Sequence, residues 1–247
     1  MAHDLDTGLT STDPPAGTLA RKIANDLRRN ILLGVLEPGS AVKERDNAEE
    51  MGVSRTPMRE AIRILAQEGL IILRPSRSPI IANPSLQETS DDLEVIIALE
   101  VLSGELACRN ASDADLAALV AINKRLVAAY DQADPLVLFE IDMDFHRAIA
   151  LAAHNPALAR THAAYLGRLW RTRFLNGRRR RNRQRVILQH GAILDGLLAR
   201  HPEATGTAIR VHLENLMPKT REFYSLRDDM AAVKQPAALA RPVTDRS

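Results

Sequence analysis

The sequence predicts a mostly α-helical protein, with a small N-terminal domain followed by a larger C-terminal helical bundle. At 247 residues the chain is long enough for two domains, each with its own core. Apolar residues recur every three or four positions along most of the chain, which is the spacing of helices. Asn83-Pro84 interrupts the pattern and no strand pattern follows, so we place the domain boundary there.

The N-terminal block opens with two predicted helices. The first covers 18–33 and ends at Gly34. Its apolar residues repeat every four positions and form one face, which consists of Leu19, Ile23, Leu27 and Ile31. A short second helix is predicted over 44–51.

A third helix and a hairpin complete this block. Either Ser54 or Thr56 can cap the third helix, because both hydroxyls suit the exposed N–H groups of a first turn. Two short β-prone runs, 70–73 and 80–82, predict a small hairpin after it. Three helices followed by a hairpin make a winged helix-turn-helix, which we assign to 18–83.

The C-terminal block, 86–229, is predicted to be an antiparallel six-helix bundle. Ser112 and Asp134 are expected N-caps, and proline follows at several first turns. Short loops between neighbouring helices favour an antiparallel arrangement. The six predicted helices cover 86–109, 113–131, 135–153, 157–175, 180–200 and 203–228.

Composition excludes several classes of protein. The 33 basic and 31 acidic residues give a net charge of +2, so any nucleic-acid surface must be local. A single cysteine, Cys108, excludes an internal disulfide and a cysteine-based zinc cluster. No signal peptide is evident, and no apolar run approaches the roughly 18 residues of a membrane span, so we expect a cytoplasmic protein. We expect the two ends, 1–17 and 231–247, to be disordered.

The segment GVSRTPMREAIRILAQEGLI, residues 52–71, resembles the helix-turn-helix of the GntR family of bacterial regulators, whose consensus is close to GVSRTPVREAL..L..EGL. Upstream, GVLEPGSAVKER is similar to that family's loop into its second helix. The six-helix block resembles the FCD-type effector domain of the FadR subfamily, in its VanR-like form. The resemblance covers about 18–228, and it implies a DNA-binding transcriptional regulator rather than an enzyme.

Arginines cluster where a recognition helix would meet DNA. The first turns of such a helix face base edges in the major groove, where arginine can donate two hydrogen bonds to guanine. The resemblance implies that Arg45, Arg55 and Arg59 contact DNA and that Ser54 and Thr56 reach phosphates or bases. Two arginines of the hairpin, Arg74 and Arg77, are further candidates. An ordinary solvated face is the alternative for these side chains.

Four polar side chains interrupt the predicted apolar faces of the bundle. Asp142 and His146 lie four residues apart on the face that carries Phe145 and Ile149, and His190 and His212 are flanked by apolar residues at helical spacing. Three imidazoles and a carboxylate can together bind zinc, nickel, manganese or iron. The metal-binding version of the FadR-type domain uses an Asp-x-x-x-His pair and two later histidines, and these four positions match it.

Such a site would leave one or two coordination positions open for a small organic acid. Members of the family usually carry EVRR.LE on the first effector helix, where arginine can pair with an effector carboxylate, but this chain has EVIIALE with Ile96 and Ile97. The anchoring cation is then missing or supplied elsewhere, and a less acidic effector is also possible. The candidate replacements are Arg168, Arg171 and Arg173.

Several alternatives remain open at this point. His162 is a fifth inward-facing histidine, which we interpret as packing or pocket lining, and the run RRRRNRQR at 178–185 is interpreted as a solvated face or a helix start. The leading hypothesis is a homodimeric regulator, usually a repressor in such families, which binds operator DNA, a small metabolite and a metal. The second is a direct metal sensor. The third is a metal-dependent enzyme with a DNA-binding appendage, for which Glu105 or Glu214 would have to act as acid or base.

Overall fold

The computed structural model describes residues 16–179 and 183–234, and the chain divides at Asn83 and Pro84 into two compact units. The first unit contains α1 (Ala16–Leu33), α2 (Glu44–Glu50), α3 (Arg55–Gln67), β1 (Ile71–Arg74) and β2 (Arg77–Ile81). The second contains α4 (Leu86–Asn110), α5 (Asp113–Ala129), α6 (Pro135–Ala152), α7 (Pro156–Arg179), α8 (Arg183–Leu198), α9 (Pro202–Leu213) and α10 (Leu216–Lys234).

The first unit is a winged helix-turn-helix, as the sequence predicts. Helix α1 packs on α3, and of the apolar face of α1 Ile23, Leu27 and Ile31 are buried while Leu19 is partly buried. Gly69 ends α3 with a φ of +75°, a conformation that glycine adopts without a steric penalty. The buried side chains of this unit include Ile23, Leu27, Met58, Leu65 and Ile81.

The hairpin is longer and its turn tighter than predicted. Residues 74–79 were expected to form a loop, but β2 begins at Arg77 and only Pro75 and Ser76 connect the strands. Strands β1 and β2 are antiparallel, with Ile71 paired to Ile81 and Arg74 paired to Arg77. The turn places Ser76 at a φ of +54°. Pro79 lies within β2 between the Ile72–Ile80 and Arg74–Arg77 pairs, where the register is irregular and proline is tolerated. Its carbonyl accepts a hydrogen bond from the Val42 amide at 2.8 Å.

Serine and aspartate caps begin several helices of the second unit. Ser85 and Ser112 each form a capping box, with Glu88 and Asp115 respectively, and the Asp134 carboxylate accepts the Leu136 amide at 2.8 Å. The main buried cluster joins α4, α5, α6, α8 and α9. Its fully buried members include Ala107, Leu119, Phe145, Ile193 and Leu197.

The last predicted helix, 203–228, is two helices. α9 ends at Leu213, a turn at Glu214 and Asn215 follows, and α10 begins at Leu216. Pro218 lies four residues after Glu214. In a continuous helix it could not donate a hydrogen bond to the Glu214 carbonyl, and its ring would clash with that carbonyl. Within the described residues the bundle therefore has seven helices rather than six.

The predicted disorder of 1–17 and 231–247 falls mostly outside the described residues. Within them, 16–17 belong to α1 and 231–234 belong to α10. Among the described helices none combines the length and apolar character needed to cross a membrane.

Candidate metal centre and DNA-contact surface

Three of the four predicted metal ligands converge inside the helical unit. Helices α6, α8 and α9 bring His146, His190 and His212 together, and one ligand nitrogen from each lies within 4.8 Å of the others. His146 and His190 are buried, and His212 is partly buried. The His190 ring stacks on Phe145 with 4.5 Å between ring centroids, which fixes its plane. Helical spacing and the family resemblance together therefore identified side chains from three separate helices that meet.

The fourth predicted ligand, Asp142, lies beside His190. Its Oδ1 is 3.2 Å from His190 Nε2, and a quarter of its side chain is exposed. This approach lacks the direction of a hydrogen bond, and neither ring nitrogen of His190 has a hydrogen-bond partner among the described residues. Although burial opposes ionisation, His190 and then His146 hold the pKa of Asp142 below its ordinary value.

A buried carboxylate that the sequence analysis missed borders the three rings. Glu100 of α4 is only 4% exposed, and its Oε2 is 2.5 Å from His146 Nδ1. Its Oε1 accepts a hydrogen bond from Arg173 Nη1 at 3.0 Å and lies 3.8 Å from His162 Nε2. Burial alone would raise the pKa of Glu100, but its contacts with the His146 ring and the Arg173 guanidinium hold it well below the usual value for glutamate. Glu100 is therefore an anion fixed in the interior.

The signal that reveals Glu100 was present in the sequence. Leu93, Ile96 and Glu100 share one face of α4 at helical spacing, and all three are buried. The spacing argument that identified the histidines applies to Glu100 equally.

Arg173 of α7 is the arginine that enters this region. It is 6% exposed, and besides Glu100 it contacts His146, with Nη2 3.0 Å from Nε2. The resemblance leads one to expect arginine at Ile96 and Ile97 of α4. Ile96 is buried, and Ile97 is partly buried against the main apolar cluster. Arg173 thus brings a guanidinium from a different helix.

The other two candidate arginines lie elsewhere. Arg168 is half exposed, 3.4 Å from Asp92, and its guanidinium covers the Tyr165 ring. Arg171 is partly buried, and burial followed by the nearby Arg227 lowers its pKa. Neither touches the three histidines in a described contact. His162 is buried against Glu100, which agrees with its interpretation as a lining residue.

The donor set suits a divalent ion. Burial lowers the pKa of His146, and burial followed by His190 and His146 lowers the pKa of His212 well below its ordinary value, so both rings favour the neutral form that binds metals. The two unpartnered nitrogens of His190 are costly in an apolar interior unless something binds them. Nitrogens that share one zinc ion lie roughly 3.4 Å apart, so the rings would have to draw closer than they stand here.

The predicted DNA contacts form an exposed surface on the first unit. The side chains of Arg45, Ser54, Arg55, Thr56 and Arg59 are all exposed, at the start of α2 and in the first turns of α3. Ser54 occupies the N-cap position of α3, but its side chain makes no capping hydrogen bond. Its hydroxyl is therefore not used by the helix.

One carboxylate organises two of these arginines. Glu44 of α2 accepts hydrogen bonds from Arg59, at 2.7 Å from Nη2 and 3.1 Å from Nε, and lies 3.7 Å from Arg55 Nε. The hydrogen bond to Glu44 raises the pKa of Arg59. Glu44 was not singled out from the sequence, because a glutamate in the first turn of a helix is ordinary.

The two hairpin arginines differ. Arg74 folds back and donates from Nε and Nη2 to the Ser78 carbonyl, at 2.9 and 2.6 Å. Arg77 begins β2 and is exposed. In the described hydrogen bonds, the hairpin engages the side chain of Arg74 but not that of Arg77.

Both units match known protein families. The model described as "FCD domain" matches residues 91–215, and the model described as "Bacterial regulatory proteins, gntR family" matches residues 19–80. An uncharacterized HTH-type transcriptional regulator in an unstable DNA locus of Streptomyces ambofaciens is 30% identical over 197 residues, which cover 79% of this chain and 82% of the relative. The Glc operon transcriptional activator of Escherichia coli K12 is 27% identical over 217 residues, covering 78% and 85% respectively.

Solved structures share the fold. E. coli McbR/YncC superposes with a TM-score of 0.67 at 21% identity, covering 85% of this chain and 98% of that one. A GntR-type regulator from Rhodococcus sp. RHA1 superposes with a TM-score of 0.64 at 19% identity, covering 83% and 98%. At these identities the likeness establishes the fold alone.

Proposed function

Because the chain belongs to the GntR family of bacterial regulatory proteins and carries an FCD domain, we propose that it is a repressor whose operator affinity is controlled by a small organic acid bound at or beside a divalent metal. Like its relatives, it is a DNA-binding transcriptional regulator and not an enzyme. That assignment removes the need for Glu105 or Glu214 to act as acid or base.

The convergence of three imidazoles supports the metal part of the proposal. Zinc, nickel, manganese and iron all accept imidazole, and His190 has two buried nitrogens without hydrogen-bond partners. His146, His190 and His212 would hold the ion, with Asp142 adjacent. When bound, such an ion supplies a positive charge with open positions for an anionic ligand. Arg173 is the cation of this chain best placed to bind the same ligand.

Control of DNA binding follows from differential affinity. We propose a homodimer in the cytoplasm, because two recognition helices of a two-fold dimer meet half-sites about 34 Å apart. An effector that binds more tightly to one spacing of the recognition helices shifts operator affinity by that difference. A related chain is an activator of the Glc operon. Whether this protein represses or activates is tested by measuring expression of a reporter fused to its operator, in cells with and without the gene for this protein.

The metal proposal is tested by substituting His190. His190→Ala removes one ligand without touching the DNA-contact surface, and we expect metal per chain to fall by at least half when measured by elemental analysis. Leu188→Ala, at an exposed position of the same helix, is the matched control and should leave metal content unchanged. Undiminished metal in His190→Ala would remove the site from the proposal.

The DNA-contact surface is tested on α3. Arg55→Ala should weaken operator binding by about 1–3 kcal/mol if Arg55 makes a bidentate base contact, while circular dichroism stays unchanged because the side chain is exposed. Arg63→Ala, exposed further along α3, is the control. Equal operator affinity of the wild type and Arg55→Ala in a gel-shift titration would refute the contact.

A direct metal sensor is the second candidate, because the same histidines would serve it. The two are separated by titrating operator DNA with metal-loaded and chelator-treated protein, without and then with small organic acids. A metal sensor changes operator affinity on metal removal alone, whereas the proposed effector sensor also needs the acid. A thermal-shift screen of both forms identifies the acid, because ligands of the folded state raise its stability.

A further inference from the structure

Both ring nitrogens of His146 are engaged by charged partners. Nδ1 lies 2.5 Å from Glu100 Oε2, and Nε2 lies 3.0 Å from Arg173 Nη2. The same guanidinium holds Glu100 Oε1 with its other arm, Nη1, at 3.0 Å. All three side chains are at most 6% exposed. Arg173 therefore bridges the carboxylate and the imidazole in an interior from which water is largely excluded.

These contacts fix which nitrogen of His146 carries the proton. An ionised carboxylate can only accept, so Nδ1 donates to Glu100, and a guanidinium can only donate, so Nε2 offers its lone pair to Arg173. A metal ion needs that same lone pair. Because Nδ1 is occupied by its proton, Nε2 is the only position through which neutral His146 can bind an ion.

We propose that Arg173 and a divalent ion are alternative partners of His146 Nε2, so that metal binding releases one arm of the guanidinium to bind an anionic ligand. This inference rests on the proposed metal site. Nη1 stays on Glu100, which serves as the pivot, and Nη2 turns away from the ring. Arg173 is thus a positioning residue that links the occupancy of the metal to the affinity for a carboxylate.

Charge favours this exchange. Glu100 and Asp142 bring two negative charges, and Arg173 brings one positive charge within hydrogen-bond distance of Glu100. A divalent ion beside Arg173 makes the region positive and repels the guanidinium. A carboxylate bound between the ion and Nη2 offsets that repulsion, so metal and anion should each raise the affinity for the other by the same factor.

The first experiment measures metal affinity by competition with a chromophoric zinc chelator. Removal of the competing donor in Arg173→Gln should tighten Zn²⁺ binding by about tenfold, since hydrogen bonds from charged donors contribute at least that factor. Arg173→Lys keeps a cation beside Glu100 but has no second arm for His146, so it should also bind Zn²⁺ more tightly and carries little risk to the fold. Arg160→Gln, exposed on the same helix, is the control and should match the wild type.

The second experiment measures succinate binding to the zinc-loaded and zinc-free full-length protein by calorimetry. In the wild type, zinc should tighten succinate binding at least fivefold, and in Arg173→Lys and Arg173→Gln that factor should shrink toward one. If zinc binds to the wild type but the arginine variants bind it equally or more weakly, or if the succinate factor is unchanged in them, Arg173 does not exchange with the metal. If the wild type takes up no zinc, the proposed metal site itself fails.

Discussion

Single carboxylates determine how the arginines near them are oriented in this protein. Glu44 holds Arg59 through Nε and Nη2, so that the hydrogen bonds to Glu44 do not use Nη1. A guanidinium already oriented in this way loses less freedom when it meets a guanine. Glu44 also places a negative charge beside Arg55 and Arg59, on the surface that we propose meets the DNA phosphates.

These two effects predict opposite changes on specific and non-specific DNA. Glu44→Gln should weaken operator binding through loss of the orientation of Arg59, yet strengthen binding to a scrambled duplex through loss of a negative charge. We expect the ratio of the two affinities to fall by about tenfold, the effect of one good base contact. Fluorescence anisotropy at a fixed salt concentration measures both. Glu49→Gln, exposed on the same helix, is the control, and an equal change on both duplexes would contradict the role of Glu44.

The residue scale also shows where sequence analysis succeeded and where it stopped. Two signals identified the residues Asp142, His146, His190 and His212. A polar side chain on an apolar helical face is visible in one helix at a time, and the four positions match the metal-binding motif of the family that the sequence resembles. The pairing of Glu100 with Arg173 was not found from the sequence, because the two residues lie 73 positions apart on α4 and α7. Periodicity fixes the face on which a side chain lies, but only tertiary packing fixes its partner.

At the scale of elements, close contact between α8 and α9 depends on glycine. A Cβ at Gly196 would lie 2.5 Å from Thr205 Oγ1 and 3.0 Å from the Thr205 backbone nitrogen, so the helices would have to separate. Gly196→Ala should lower the free energy of unfolding by about 1–3 kcal/mol, measured by urea denaturation. Gly191, in the same helix, has nothing within 4 Å of its Cβ position. Gly191→Ala should be neutral or stabilising by up to ~1 kcal/mol, and equal destabilisation by both substitutions would contradict the packing argument.

The start of α5 should make stability depend on acid pH. Hydrogen bonds from Ser112, and then the contact with His154, lower the pKa of Asp115 from 3.8 to about 2. A folded-state pKa below the unfolded value means that ionised Asp115 stabilises the fold fully above pH 3.8 and that this contribution is lost as pH falls through 2. Asp115→Asn should therefore be less stable than the wild type near neutral pH. The difference between their urea midpoints should narrow as the pH falls from 3.8 to about 2. A difference independent of pH would show that the charge of Asp115 is not what matters.

Element boundaries were predictable where a local residue decides them. The caps at Ser112 and Asp134 and the end of α3 at Gly69 follow from side-chain chemistry within a few residues. The break before Pro218 was equally local and was overlooked, because apolar spacing continues across it. The 80–81 part of β2 was predicted, but its first three residues were not, since Ser78 and Pro79 disfavour strands and lie where the register with β1 is irregular.

At the scale of the whole molecule, the two proposed activities of the chain belong to different units. The proposed DNA-contact residues lie before Asn83, and the four proposed metal ligands lie after Pro84. Each unit has its own buried apolar side chains, such as Leu27 and Met58 in the first and Leu119 and Phe145 in the second. Separate cores are what allow domains to fold separately.

This division predicts that residues 84–247 fold and bind metal without the first unit. Every described contact among His146, His190, His212, Glu100 and Arg173 is made within this segment, and its helices supply the apolar surface that buries them. We expect the fragment to keep a helical circular dichroism spectrum and to take up as much metal per chain as the full-length protein, while operator binding is lost. Carrying His190→Ala in the fragment should lower its metal content as in the full chain. A fragment that is helical but takes up no metal would mean that the site needs residues of the first unit, and the assignment of one activity to each unit would then be wrong.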